Sequence, residues 1–163
     1  MKYNRSFYFG IGLLLIFLIM AVFAPVIAPY DPFAHGTPYL RPSVEHFLGT
    51  NDVGQDIFSE LIYGARVSLT IGIVSSLVIT VIGTGIGLSS ACFGGRCDRI
   101  LMKLTSVAMA IPSLPVAIVL AAYLDASIWN LVIAICITAW PSTARIVRAK
   151  ALELMELPYI KIE

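Results

Sequence analysis

The sequence predicts an all-α, polytopic membrane protein, and three observations carry that expectation. Of its 163 residues 58% are apolar and 13% charged, far from the balance of a soluble domain. The charges sit in short stretches between long uncharged runs. The basic residues, finally, segregate to one set of loops, as oriented insertion requires.

The first uncharged run extends from Phe7 to Ile27, behind a short N-terminus (1–6) that carries Lys2 and Arg5. Its twenty-one residues, at ~1.5 Å each, reach about 31 Å, the thickness of a hydrocarbon core. Fourteen of them are Leu, Ile, Val or Phe, which together favour insertion by about 4 to 8 kcal/mol at most. A cleaved signal peptide is the rival reading. The run is longer than the ~7–15 apolar residues usual there, and Ala24-Pro-Val-Ile-Ala-Pro-Tyr-Asp-Pro32 offers no small-x-small cleavage pattern. A retained transmembrane helix 1 over 7–27 is expected.

The following segment, 28–66, divides in two. Pro29, Pro32, Pro38 and Pro42 make its first half extended and irregular. Its second half opens a helix, with Asp52 as cap, Gln55 three residues on as its capping-box partner, and Ile57, Phe58, Leu61 and Ile62 forming one apolar face. As a pattern alone, this is an amphipathic helix lying on a membrane surface.

Three further spans are expected over about 67–92, 104–124 and 127–144, the last two joined by a short turn at Asp125. In the second, Gly83 and Gly87 form a small-xxx-small pair that admits another helix closely. A face toward a partner or pore and ordinary packing within the chain both fit it. In the third, Ile111-Pro112-Ser113-Leu114-Pro115 must interrupt the helical ladder, because proline lacks the N–H and clashes with the preceding turn. Interrupted spans tend to line water-filled paths; a purely structural kink is the competing reading. Pro141 repeats the theme in the fourth span.

Orientation follows from the loops. Nine of the eleven basic residues lie in the N-terminus (Lys2, Arg5), between the second and third spans (Arg96, Arg99, Lys103) and in the tail (Arg145, Arg148, Lys150, Lys161). The opposite side has Arg41 and Arg66 against Asp31, Glu45, Asp52, Asp56 and Glu60. The positive-inside rule makes the basic side cytoplasmic, with both termini there and segment 28–66 extracytoplasmic.

Several function classes drop out. No span carries an ionisable group near its middle, where proton relays and intramembrane proteases need one. There is no phosphate-binding Gly-x-x-x-x-Gly-Lys loop, and no basic patch interleaved with aromatics for nucleic acid. His35 and His46 look too isolated for a triad or metal site. Cys92, Cys97 and Cys136 are odd in number and form no disulfide framework. No enzyme activity, cofactor or metal is expected.

One family is visible in the order of the motifs. Leu48-Gly49-Thr50-x-Asp52-x-Gly54-x-Asp56 followed by Tyr63-Gly-Ala-Arg-Val-Ser-Leu69 resembles the second membrane permease of dipeptide, oligopeptide and nickel ABC importers. Phe23-Ala24-Pro25 through Asp31-Pro32, Phe93-Gly94-Gly95-Arg96-x-Asp98, Ile111-Pro-Ser-Leu114, Asn130-Leu-Val-Ile-Ala134 and Trp140-x-x-x-Ala144-Arg145-x-Val147-Arg148 continue the likeness in order. Gln55 stands where the family usually has Arg, and Ser106 where it often has Asp.

The resemblance implies a type I ABC importer permease fold, of which the four spans are the first part of six, in a prokaryotic cytoplasmic membrane. It implies four kinds of partner: a second homologous permease, two ABC ATPases, an extracytoplasmic substrate-binding protein and membrane lipid. It also implies that residues 67–163 belong to the transmembrane domain, ending in a cytoplasmic coupling helix after the fourth span. Leu157, Tyr159, Lys161 and Glu163 are the candidate ATPase contacts; Pro112, Ser113, Pro115 and Pro141 are candidates for the translocation path or its helix kinks. The family's Glu-Ala-Ala falls on Lys161-Ile162-Glu163, which departs from it at each position. An incomplete, uncoupled permease that inserts without binding ATPases, or a small membrane scaffold, are the alternative readings.

Overall fold

The computed structural model describes residues 5–123 and 127–157. It is all-α, with no strand among the described residues: α1 (Arg5–Val22), α2 (Ala24–Ile27), α3 (Ile57–Phe93), α4 (Gly95–Ala110), α5 (Ser113–Tyr123) and α6 (Ile128–Met155). Two compact units divide within α3, at Thr70 and Ile71.

In the first unit, α1 buries only Ala21 and leaves Tyr8, Phe9, Leu14, Ile16 and Val22 open on several sides. A helix that is apolar all round takes lipid rather than water as its solvent. The run expected as a single helix over 7–27 is divided at Phe23, and α2 begins with Pro25 in its first turn. There the missing N–H costs nothing, whereas in the interior of a longer helix it would break the ladder.

The amphipathic helix and the second span, expected as separate elements, are one continuous 37-residue helix, α3. Nothing between Tyr63 and Leu69 stops it, and Gly64 stands in open space. The start is also corrected. Asp56, not Asp52, caps the helix: its Oδ2 accepts from the Ser59 N–H at 2.9 Å and from the Ser59 hydroxyl at 2.8 Å. Gln55 instead serves the loop before the helix, accepting from Asn51 Nδ2 at 2.9 Å.

In the second unit, the span expected over 104–124 is two helices. Ile111 is extended (φ −79°, ψ 120°), as a residue before proline must be, and so α4 ends at Ala110. The Pro112 carbonyl accepts from the Val116 N–H at 3.4 Å to open α5, which leaves Pro115 in a first turn where no N–H is needed. The fourth span runs the other way. Ser127 caps α6 by accepting from the Trp129 N–H, and the helix continues through Pro141 to Met155, eleven residues past its expected end. Among the described residues α1, α3 and α6 are long and apolar enough to cross a membrane. The expected turn at Asp125 lies outside the described residues.

Candidate functional site: the junction of α3, α4 and α6

The junction begins with the glycines of α3. A Cβ on Gly83 would stand 2.7 Å from Thr143 Cβ, and one on Gly87 would stand 2.6 Å from the Ala144 carbonyl oxygen and 2.9 Å from Val147 Cβ. Only hydrogen fits at either position, so the two backbones run in contact. Gly72 and Gly85 of the same helix meet nothing within 4 Å. Around the crossing, Ala144 and Pro141 of α6 and Ser90 of α3 are fully buried. About two turns before Ala144 in α6, buried Cys136 places its thiol 3.8 Å from the Ser75 carbonyl oxygen.

Beyond the glycines the contact turns ionic. Arg148 of α6 clamps the Asp98 carboxylate of α4 with two hydrogen bonds, Nε to Oδ1 at 2.5 Å and Nη2 to Oδ2 at 2.6 Å. Ser90 of α3 donates its hydroxyl to the same Oδ1. Both charged side chains keep about a quarter of their surface open. A planar guanidinium matched edge-on to a carboxylate is the strongest form of such a pair. The Arg148 hydrogen bonds first, then that of Ser90, outweigh partial burial and hold the Asp98 carboxyl at about 2, below its ordinary 3.8. A second bond ties the same two helices: Arg145 Nη2 donates to Ser106 Oγ at 3.2 Å.

The connection beside this cluster is tight and bare. Gly94 and Gly95 link α3 to α4 with φ of +57° and +51°, a backbone region that costs a residue with a side chain about 1–2 kcal/mol. A Cβ at either position would meet nothing within 4 Å.

The sequence-predicted residues scatter around this junction. Gly83 and Gly87 are in it, and Pro141 is buried beside it. Pro112 separates α4 from α5, while Ser113 and Pro115 stand in the first turn of α5. Leu157 lies just past α6, its N–H donated to the Leu154 carbonyl at 3.1 Å; Tyr159, Lys161 and Glu163 lie outside the described residues. Asp98 and Arg148 had been noted as motif residues, never as a pair. Their opposite charges at the ends of neighbouring predicted spans were the available signal. No group of three or more metal-ligating side chains occurs among the described residues.

The segment before α3 also carries a polar network that sequence reading missed. His46 Nδ1 lies 2.9 Å from Asp56 Oδ1, and the Tyr30 N–H donates to Ser59 Oγ at 3.2 Å, so the histidine thought isolated is anchored. Burial pushes Asp56 up, but hydrogen bonds from His46 and Ser59 outweigh it and hold the carboxyl below its usual range. Asp56 sits between His46 and Ser59, within hydrogen-bond distance of both.

Two family models match the chain. One, described as a binding-protein-dependent transport system inner membrane component, covers residues 83–162, the whole glycine and ionic junction included. The other, the N-terminal TM domain of oligopeptide transport permease C, covers residues 1–44. The chain belongs to this peptide-permease family of binding-protein-dependent ABC importers. It is 35% identical over 162 residues to the oligopeptide transport system permease protein OppC of Bacillus subtilis, covering 96% of this chain and 52% of that one. To the dipeptide permease DppC of Haemophilus influenzae it is 35% identical (98% of this chain, 57% of the relative). To the glutathione permease GsiD of Pectobacterium atrosepticum it is 38% identical (92% and 51%). The chain thus spans about half the length of the curated relatives it matches. The chain is a multi-pass membrane protein, and its relatives are transport proteins rather than enzymes.

Proposed function

We propose that the chain is a membrane-spanning subunit of an ATP-driven importer whose cargo is a di- or oligopeptide or a nickel complex, with peptide favoured by its likeness to oligopeptide, dipeptide and glutathione permeases. In this reading a substrate-binding protein delivers cargo to the face formed by segment 28–66. A second, homologous permease completes the path, and two ATPases drive alternating access from the cytoplasmic side. Both termini are cytoplasmic, since Arg96, Arg99, Lys103, Arg145, Arg148 and Lys150 then all lie inside. The Pro112 break and Pro141 lie beside the path, and the ATPase contact falls at Leu157 and onward through Tyr159, Lys161 and Glu163.

The observation that carries this reading is the unbroken α6. One 28-residue helix begins in the apolar Ile128–Ala139 stretch and ends among Arg145, Arg148, Lys150 and Glu153. A rigid rod that runs from apolar surroundings into a charged end is what a chain without its own nucleotide site needs in order to be driven from outside itself. Reconstitution with the cognate binding protein, second permease and ATPases tests it. ATP-dependent uptake of a labelled dipeptide or oligopeptide is expected. ATPases that co-purify with the other permease but never with this chain would refute it.

A further inference from the structure

We propose that Ser90, Asp98 and Arg148 form a lock that makes the ends of α3, α4 and α6 move as one body, so that Asp98 and Arg148 are positioning residues for the transmission of ATPase motion. The transport half of this inference rests on the reading proposed above; the mechanical half does not.

Three observations carry it. The first is convergence: one carboxylate receives Ser90 from α3 and both arms of the Arg148 fork from α6. The second is what the lock opposes. The chain passes from α3 into α4 through Gly94-Gly95, with positive φ at both residues and open space where a side chain would stand. The two glycines bring no side chain that could hold the direction in which α4 leaves the connection; the Asp98 carboxylate, in the first turn of α4, ties that turn to α3 and α6. The third is placement on α6. Arg148 follows directly on Thr143, Ala144 and Val147, the residues against which Gly83 and Gly87 close, and it precedes the helix end at Met155. A push applied near Met155 thus reaches the lock within two turns of helix.

Alternatives are weaker in the same geometry. An exposed ion pair is worth little to stability, but this one is bidentate, shares its carboxylate with a fully buried Ser90, and bridges elements fifty residues apart. The remaining α4–α6 hydrogen bond, Arg145 to Ser106, is single and exposed. It cannot fix an angle as a fork does.

The test has two arms. In the chain with Cys92, Cys97 and Cys136 replaced, spin labels at Arg99 and Ala149, both exposed, report the α4–α6 distance in nanodiscs. A single narrow distribution is expected for the parent. Asp98→Asn, which keeps the shape and the Ser90 contact but loses the charge, is expected to broaden it, as is Arg148→Asp. The double change Asp98→Arg/Arg148→Asp is expected to narrow it again. Distributions that stay narrow in both single variants would overturn the lock. In the reconstituted transporter, Asp98→Asn is expected to lower uptake per ATP hydrolysed by about fivefold or more, the scale of ordinary coupling between sites, at unchanged membrane abundance. A broadened distance with an unaltered transport ratio would overturn the transmission role. Absence of uptake by the parent would count against the permease reading and leave the first arm to decide the lock.

Discussion

The segment before α3 and the junction around α6 are both tightly held, by opposite means. Residues 36–60 are tied by short-range polar bonds. Asn51 alone serves Val53, Gln55 and Glu60, and Thr50 Oγ1 joins Leu40 to Thr37. At the junction, the glycine contacts join residues about sixty apart and the Arg148–Asp98 pair residues fifty apart. Water solvates and competes with the loop's groups, so many bonds are needed to fix one conformation. Where α3 and α6 close through small residues shape does more, and one bidentate ion pair fixes the partly open end beyond them.

The sharpest way to break the junction is Gly87→Leu. Even a Cβ would meet the Ala144 carbonyl at 2.6 Å, and overpacking of this kind costs ~1–3 kcal/mol or more. Thermal unfolding in detergent is expected to fall markedly for Gly87→Leu and to stay near the parent for Gly85→Ala, which has open space. Equal losses would mean that the glycine spacing does not define the crossing.

The corresponding break in the loop is Gly54→Ala. Gly54 has φ +84° and its Cβ would stand 2.1 Å from the Gly36 carbonyl oxygen, a strain of about 1–3 kcal/mol. Limited proteolysis should open segment 28–56 in this variant while the fragment containing α6 keeps its protection. Cap loss comes next in size. Asp56→Ala should cost about 0.5–2 kcal/mol, and Asp52→Ala close to nothing, separating the cap found in the structure from the one the pattern suggested.

Acid provides the smallest, most graded contrast. The folded-state value of Asp98, about 2, lies below its ordinary 3.8. The cluster's contribution to stability is thus fully present above pH ~4 and is lost as pH falls through about 2, when the carboxyl protonates. Asp98→Asn should flatten that part of the stability curve. An Asp98→Asn variant that loses stability over this window as the parent does would show that the acid loss arises elsewhere.

How much of this was legible in the sequence follows the same division. The apolar runs, the proline break at Pro112 and the small-residue spacing of Gly83 and Gly87 are local and could be read directly. The cap was misread by four residues because Asp52 and Asp56 both precede the apolar face, and only the turn held by Asn51 and Gly54 decides between them. The partner of His46, Asp56, was not legible because it lies ten residues away through a fold with no periodicity. The opposite charges of Asp98 and Arg148 were legible, but their pairing depends on which helices become neighbours. Only the ordered family motifs pointed to both residues, and they did so without joining them.

On the proposed function the two regions face different partners: the loop meets the binding protein, and the end of α6 meets the ATPase. Single cysteines at Val44, which is 90% exposed, and at Leu157, placed in a chain without its native cysteines, test it in membranes that contain the whole transporter. Bifunctional cross-linking is expected to join position 157 to an ATPase subunit and position 44 to the binding protein, each to its own partner alone. Cross-links in the reverse order, or position 157 joined to the binding protein, would contradict the account.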